Sequence, residues 1–266
     1  MADTFRNAEA EIKIILAGGT AEDARRSLGL EPGNGKRLGI HFWDAPREDG
    51  EGIRLPLAEA GAIIRLRRPD RGTKGTKGGG KGDRSDLTAK LRPCDPAALP
   101  AKWHENRGGK GWEFKVEEDW SGSDRVWSAS LKVDGTFEPP ASGDGNGPAP
   151  WPPPLTPDQR DLLAHAGITD DGLRDAVALG PVQAVRWKLS RPDLARPLTA
   201  EFWSVGDDGP CFLELSLRAP HADAPGAQEL LERIVREQGL RPAPQQASKT
   251  QTVMTELARN HLRGAG

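Results

Sequence analysis

The sequence predicts a mainly β protein of the α+β class. Its sheet closes on itself with a charged face inward, and helices pack on the apolar outer face. Three observations lead there. Segments in both halves of the chain alternate apolar and polar residues with the two-residue period of a strand. The polar faces of those segments are largely charged, with basic residues in pairs and acidic residues at the first and last strands. Apolar stripes with helical spacing follow near the C-terminus, such as Leu230, Leu231, Ile234 and Val235. A β-sandwich also pairs an apolar with a polar face, but usually with a mixture of Thr, Ser and Gln. A closed sheet has no exposed edge and can enclose an aqueous cavity. Buried cations are costly unless anions and water compensate them, so such a cavity calls for a polyanionic ligand and a metal.

In chain order, strands are predicted over 8–16, 37–43, 62–68, 86–93, 111–119 and 126–133. The Gly/Lys-rich run 71–82 reads as a hairpin loop. It is not a Walker loop, because no Gly-Lys pair there precedes Ser or Thr. The stretch 135–154 is rich in Pro, Gly and Ala and reads as a linker within a single domain, between a first half, 1–134, and a second half, 157–266. A helix is predicted over 157–166, with Thr156 as N-cap and Pro157 at its first position. A short helix follows over 170–178, then strands over 182–189, 198–205 and 211–218. Helices over 226–238 and 248–262 complete the chain, and Glu22, Glu229 and Glu232 read as solvated helix charges.

Composition narrows the function classes. The formal net charge is -2 over 266 residues, so bulk charge gives no support to a nucleic-acid or membrane partner. No apolar run approaches the roughly 20 residues of a membrane span, and residues 1–10 lack the apolar stretch of a signal peptide. Cys94 and Cys211 are too few for a disulfide framework, and the five histidines are scattered. A cytoplasmic protein is the expectation.

The strand faces carry the functional signal. Glu9, Glu11 and Lys13 share one face of the first strand, opposite Ile12, Ile14 and Leu16. Carboxylates beside an ammonium suit a divalent metal next to a phosphate chain. Arg65 and Arg67 share a face, as do Thr88, Lys90 and Arg92. So do Glu113, Lys115 and Glu117, then Ser128, Ser130 and Lys132. Arg186 and Lys188 form a further pair; Glu201 lies in phase with Trp203, and Glu214 with Ser216 and Arg218.

With Ser248-Lys249 near the end and the stretch His41-Phe42-Trp43-Asp44, this set resembles the CYTH domain, the fold of the triphosphate tunnel metalloenzymes. The resemblance runs from about Glu9 to Lys249. It implies an eight-stranded antiparallel tunnel that binds triphosphate compounds with Mg2+ or Mn2+. Members of that family include inorganic and thiamine triphosphatases and class IV adenylyl cyclases. The family often has Glu-x-Glu on its last strand; here the pair is Glu214 and Ser216, which weakens the expected metal site.

The resemblance and the charges together assign roles. Glu9, Glu11 and Glu214 are the expected metal ligands. Lys13, Arg65, Arg67, Lys90, Arg92, Lys115, Arg186, Lys188 and Lys249 are the expected triphosphate contacts. Lys13 and Glu201 are expected to act in catalysis. Glu113, Glu117 and Lys132 read equally well as structural ion pairs, and Trp203 as a packing residue or a contact for an organic group. The leading expectation is a metal-dependent triphosphatase. A non-catalytic polyphosphate- or nucleotide-binding module, an adenylyl cyclase and a sandwich-type interaction domain are the alternatives.

Overall fold

The computed structural model describes residues 8–70, 84–137, 154–242 and 248–264. The 71–82 loop and most of the 135–154 linker therefore lie outside the described residues. Twelve strands are present among the described residues: β1 (Glu9–Ala17), β2 (Lys36–Asp44), β3 (Arg47–Asp49), β4 (Gly52–Arg54), β5 (Ala62–Pro69), β6 (Ser85–Leu91), β7 (Arg107–Gly109), β8 (Trp112–Ser121), β9 (Asp124–Gly135), β10 (Val177–Leu189), β11 (Leu198–Ser204) and β12 (Cys211–Pro220). Six α-helices accompany them: α1 (Gly19–Ser27), α2 (Pro56–Glu59), α3 (Pro157–Ala164), α4 (Asp170–Arg174), α5 (Ala224–Glu237) and α6 (Lys249–Gly264).

Nine of the strands close into a ring, in the order β1-β12-β11-β10-β2-β5-β6-β9-β8 and back to β1. This corrects the expectation of eight antiparallel strands. An odd ring cannot alternate direction all the way round, so one neighbouring pair must run parallel. That pair is β1 and β8, with Glu9 opposite Glu117 and Glu11 opposite Asp119. Every other pair in the ring is antiparallel. β7 adds to β8 outside the ring, and β3 and β4 form a separate hairpin.

Alternation decides what faces where. In β1, Ala10, Ile12, Ile14 and Leu16 are buried and pack outward against Ala21 and Ala24 of α1 and Leu231, Ile234 and Val235 of α5. On the opposite flank, Ile64 and Leu66 of β5, Leu87 and Ala89 of β6, Phe114 of β8 and Leu131 of β9 pack against Leu162 and Leu163 of α3. Such burial on one face and charge on the other leaves the ring interior as the polar side.

One sector of the interior is apolar. Phe42 stands opposite Arg65 and Ile40 opposite Arg67, so they share the inward face. With Leu38, Leu179 and Val182 they pack against Val253, Met254 and Leu257 of α6. α6 therefore covers this apolar sector and brings Lys249 and Thr250 of its first turn to the cavity.

Two further departures have local causes. The helix expected over 170–178 ends at Arg174, because Val177 already pairs with Asp44 as the start of β10. The ladder between β10 and β2 shifts register between Leu179 and Val182. Gly180 there has φ +132°, and a Cβ would lie 2.8 Å from the Ile40 carbonyl oxygen, so only glycine fits. Among the described residues no helix is long and apolar enough to cross a membrane.

Candidate functional site

The ring encloses a cavity of about 350 Å³. Of the residues expected to act, Glu11, Lys13, Arg65, Arg67, Lys90, Arg92, Lys115, Arg186, Lys188, Glu201, Glu214 and Lys249 all line it. Glu9 does not; it pairs with Arg196 and lies 4.0 Å from Lys115. Residues outside the expected set join the lining, among them Glu117, Arg218, Asp86 and Lys132. Among the described residues, eleven Lys and Arg side chains line the cavity against six carboxylates.

The carboxylates fall into two groups. Glu201, from β11, is buried and collects three donors. Arg67 donates from 3.1 Å, Arg186 from 2.6 Å and Trp203 Nε1 from 2.6 Å. Lys249 lies 3.9 Å from the centroid of the Trp203 ring and 3.2 Å from Glu214. Burial works against the Glu201 charge, but Arg67, Arg186 and Lys249 outweigh it and hold its pKa well below the usual carboxylate range. Burial and then Arg65 push Arg67 down to about 10, against the pull of Glu201. Burial likewise lowers Lys249.

The second group sits at the parallel seam. Glu11 of β1 and Glu117 and Asp119 of β8 each offer an oxygen within 4.8 Å of the others. Four cations surround them. Lys13 lies 2.7 Å from Glu11 and 2.5 Å from Asp119. Lys90 and Arg92 lie 3.0 Å and 3.3 Å from Asp119. Arg218 reaches Glu11 at 3.1 Å and Glu117 at 3.4 Å. Burial opposes ionisation of Glu11 and Asp119, yet Lys13 and its neighbours keep both below their ordinary values. Burial also opposes the Lys13 charge, but Asp119 and Glu11 outweigh it and raise its pKa. Lys13 is thus a fixed cation rather than a base near neutral pH.

Some buried polar atoms in this cavity have no hydrogen-bond partner among the described residues: Nε of Arg65, Nε of Arg67 and Oε2 of Glu117. Orphaned donors on paired arginines fit an absent anion, since a guanidinium fork matches phosphate oxygens. An orphaned carboxylate oxygen in a cluster of three fits a hard divalent cation. Of the expected metal ligands, Glu11 stands in this triad, while Glu214 pairs with Lys249. Asp119 was legible in the sequence, because it continues the Glu113, Lys115, Glu117 face by one more step of two. Its role was not legible, because that depends on β8 lying beside β1.

No family model and no curated protein matches this chain in sequence. Solved structures do. A candidate adenylate cyclase from Bacillus halodurans shares the fold with a TM-score of 0.50 at 13% identity, covering 92% of this chain and 96% of that one. A candidate adenylyl cyclase from Hippeastrum, described as revealing a dominant triphosphatase activity, gives a TM-score of 0.50 at 16% identity, covering 93% and 96%. The closed, charge-lined barrel of this chain therefore shares the fold of those two solved structures.

Proposed function

We propose that the chain is a metal-dependent hydrolase of inorganic triphosphate or of nucleoside triphosphates, which it binds in the tunnel. The observation that carries this reading is the pair of buried arginine Nε donors, on Arg65 and Arg67, without acceptors in a cavity where cations outnumber carboxylates. Phosphoryl transfer needs positioning and charge neutralisation more than covalent chemistry. Arg65, Arg67, Arg186 and Lys249 would grip one stretch of the chain, and Lys13, Lys90 and Arg92 another, with Lys115 and Lys188 as further contacts. Glu201 holds Arg67 and Arg186 in register, so it acts by positioning them. Glu11, Glu117 and Asp119 would hold Mg2+ or Mn2+. Such an ion supplies Lewis-acid polarisation of phosphoryl oxygens and a more acidic water.

A binding module without turnover is the second reading. It is favoured by Ser216, a neutral side chain that stands opposite Lys13 on the cavity wall. A cyclase would use the same cradle with the ribose 3'-oxygen as nucleophile, and the Bacillus halodurans neighbour is named for that activity. Phosphate release from tripolyphosphate and ATP with Mg2+ or Mn2+ separates these readings. The hydrolase is expected to release orthophosphate, and Glu11→Gln to lose about 100-fold or more of the rate. Cyclic nucleotide with pyrophosphate would establish the cyclase. Binding with no product from either substrate would establish the module.

A further inference from the structure

The acidic triad that suits a metal is already occupied by the protein's own cations. Arg218 bridges two of its members, at 3.1 Å from Glu11 and 3.4 Å from Glu117. Lys13 bridges the other way, between Glu11 and Asp119. A divalent ion needs several oxygens at roughly 2.0–2.6 Å, and a guanidinium on the same two carboxylates denies it both charge and space. Glu117 Oε2 nevertheless accepts no hydrogen bond, and Glu117 is 5% exposed. That oxygen is the one Arg218 Nη2 reaches at 3.4 Å, so the guanidinium faces it as an ion pair without a formed hydrogen bond.

Arg218 can leave the triad only if another anion takes it, because a partly buried cation without a partner is strongly unfavourable. A triphosphate in the cavity is such an anion. The charge balance agrees. With Asp119 included, seven carboxylates face eleven cations, a surplus of four. A triphosphate chain carries about four negative charges near neutral pH, so the tunnel balances it with no metal present.

From this we infer that the anion binds first, without metal, and that by drawing Arg218 away from Glu11 and Glu117 it opens the metal site. The inference rests on the triphosphate reading above. It makes Arg218 a gate on metal entry, and it couples the two ligands reciprocally: whatever the anion adds to metal affinity, the metal adds to anion affinity.

Two measurements on the full chain test it. The first is equilibrium dialysis of Mn2+, with chloride as the anion, for the wild type, Arg218→Gln and Arg218→Lys. Arg218→Gln is expected to bind Mn2+ at least about tenfold more tightly than wild type, within the usual range of site coupling. Arg218→Lys, too short to bridge both carboxylates, is expected to gain less and guards against misfolding of the first variant. Equal uptake by wild type and both variants would overturn the gate. The second is thermal melting with tripolyphosphate in EDTA. A rise in Tm without metal is expected. A rise that requires Mn2+ would overturn the order of binding. No rise in either condition would overturn the triphosphate reading and the anion-first half with it, while the dialysis would still judge Arg218 as a block on the metal.

Discussion

Arg65 and Arg67 stand two residues apart on β5, yet only Arg67 has Glu201 beside it. The Arg65 Nε is buried and finds no acceptor among the described residues. A partly buried cation with an unpartnered donor weakens the empty protein and strengthens the filled one. Arg65→Met keeps the length of the side chain and removes its charge. The variant is expected to be as stable as wild type or more so, by roughly 1 kcal/mol in urea without ligand. Its affinity for tripolyphosphate is expected to fall about 10- to 100-fold by calorimetry, the size of one or two charge-assisted hydrogen bonds. Loss of stability in the empty variant would show instead that Arg65 holds the fold together. Glu201 presents the reverse case. Three donors already satisfy it, so its removal would strand Arg67 and Arg186. Which charges serve the ligand and which serve each other is set by these pairings, and pairing is invisible in a row of alternating residues.

The elements follow the sequence where local chemistry decides them. Each ring strand overlaps a segment whose alternation predicts a strand, since half-buried strands keep the two-residue period. α3 begins as its signals dictate: Thr156 accepts from the Gln159 N–H while the Gln159 side chain accepts from the Thr156 N–H. α1 escapes such a reading because only Ala21 and Ala24 of its nine residues are buried, so no apolar stripe marks it. The first turns of β10 escape because Gly180-Pro181 reads as a break, whereas in the structure it is an irregularity within a strand. Gln159 adds a tie that no pattern shows. Its buried amide donates to the Leu87 and Leu131 carbonyls of β6 and β9 at 2.9 Å and 3.1 Å. Thr156→Ala is expected to cost about 1 kcal/mol in urea unfolding, the usual value of an N-cap. Gln159→Ala is expected to cost more, roughly 2 kcal/mol, because it removes the cap partner and both carbonyl ties. Equal costs for the two would show that the amide contributes only to the cap.

Closure belongs to the whole molecule, and the sequence carries it least. A charged face in most of the nine predicted segments points to a tunnel, but nothing local says how they close or that β1 meets β8 in parallel. That meeting places Glu11 beside Asp119 and so builds the acidic triad from strands about a hundred residues apart. The same closure buries His41 against the ladder with β10. Burial, and then Arg68, lower its pKa from 6.5 to about 4. The sign of the consequence is fixed by linkage. The unfolded chain takes up this proton near 6.5 and the folded chain only near 4, so stability falls as pH drops through that window, by roughly 3 kcal/mol. The depressed carboxylates act later. Glu11, Asp119 and Glu201 stabilise the fold above the ordinary carboxylate range, and that contribution is lost only as pH falls further towards their folded values. Urea unfolding followed from neutral to acid pH is therefore expected to show two successive losses. His41→Asn, which cannot take up a proton, should lack the first and retain the second. A wild type whose stability stays flat down to about pH 4.5 would show that the unfolded chain gains no proton advantage at His41.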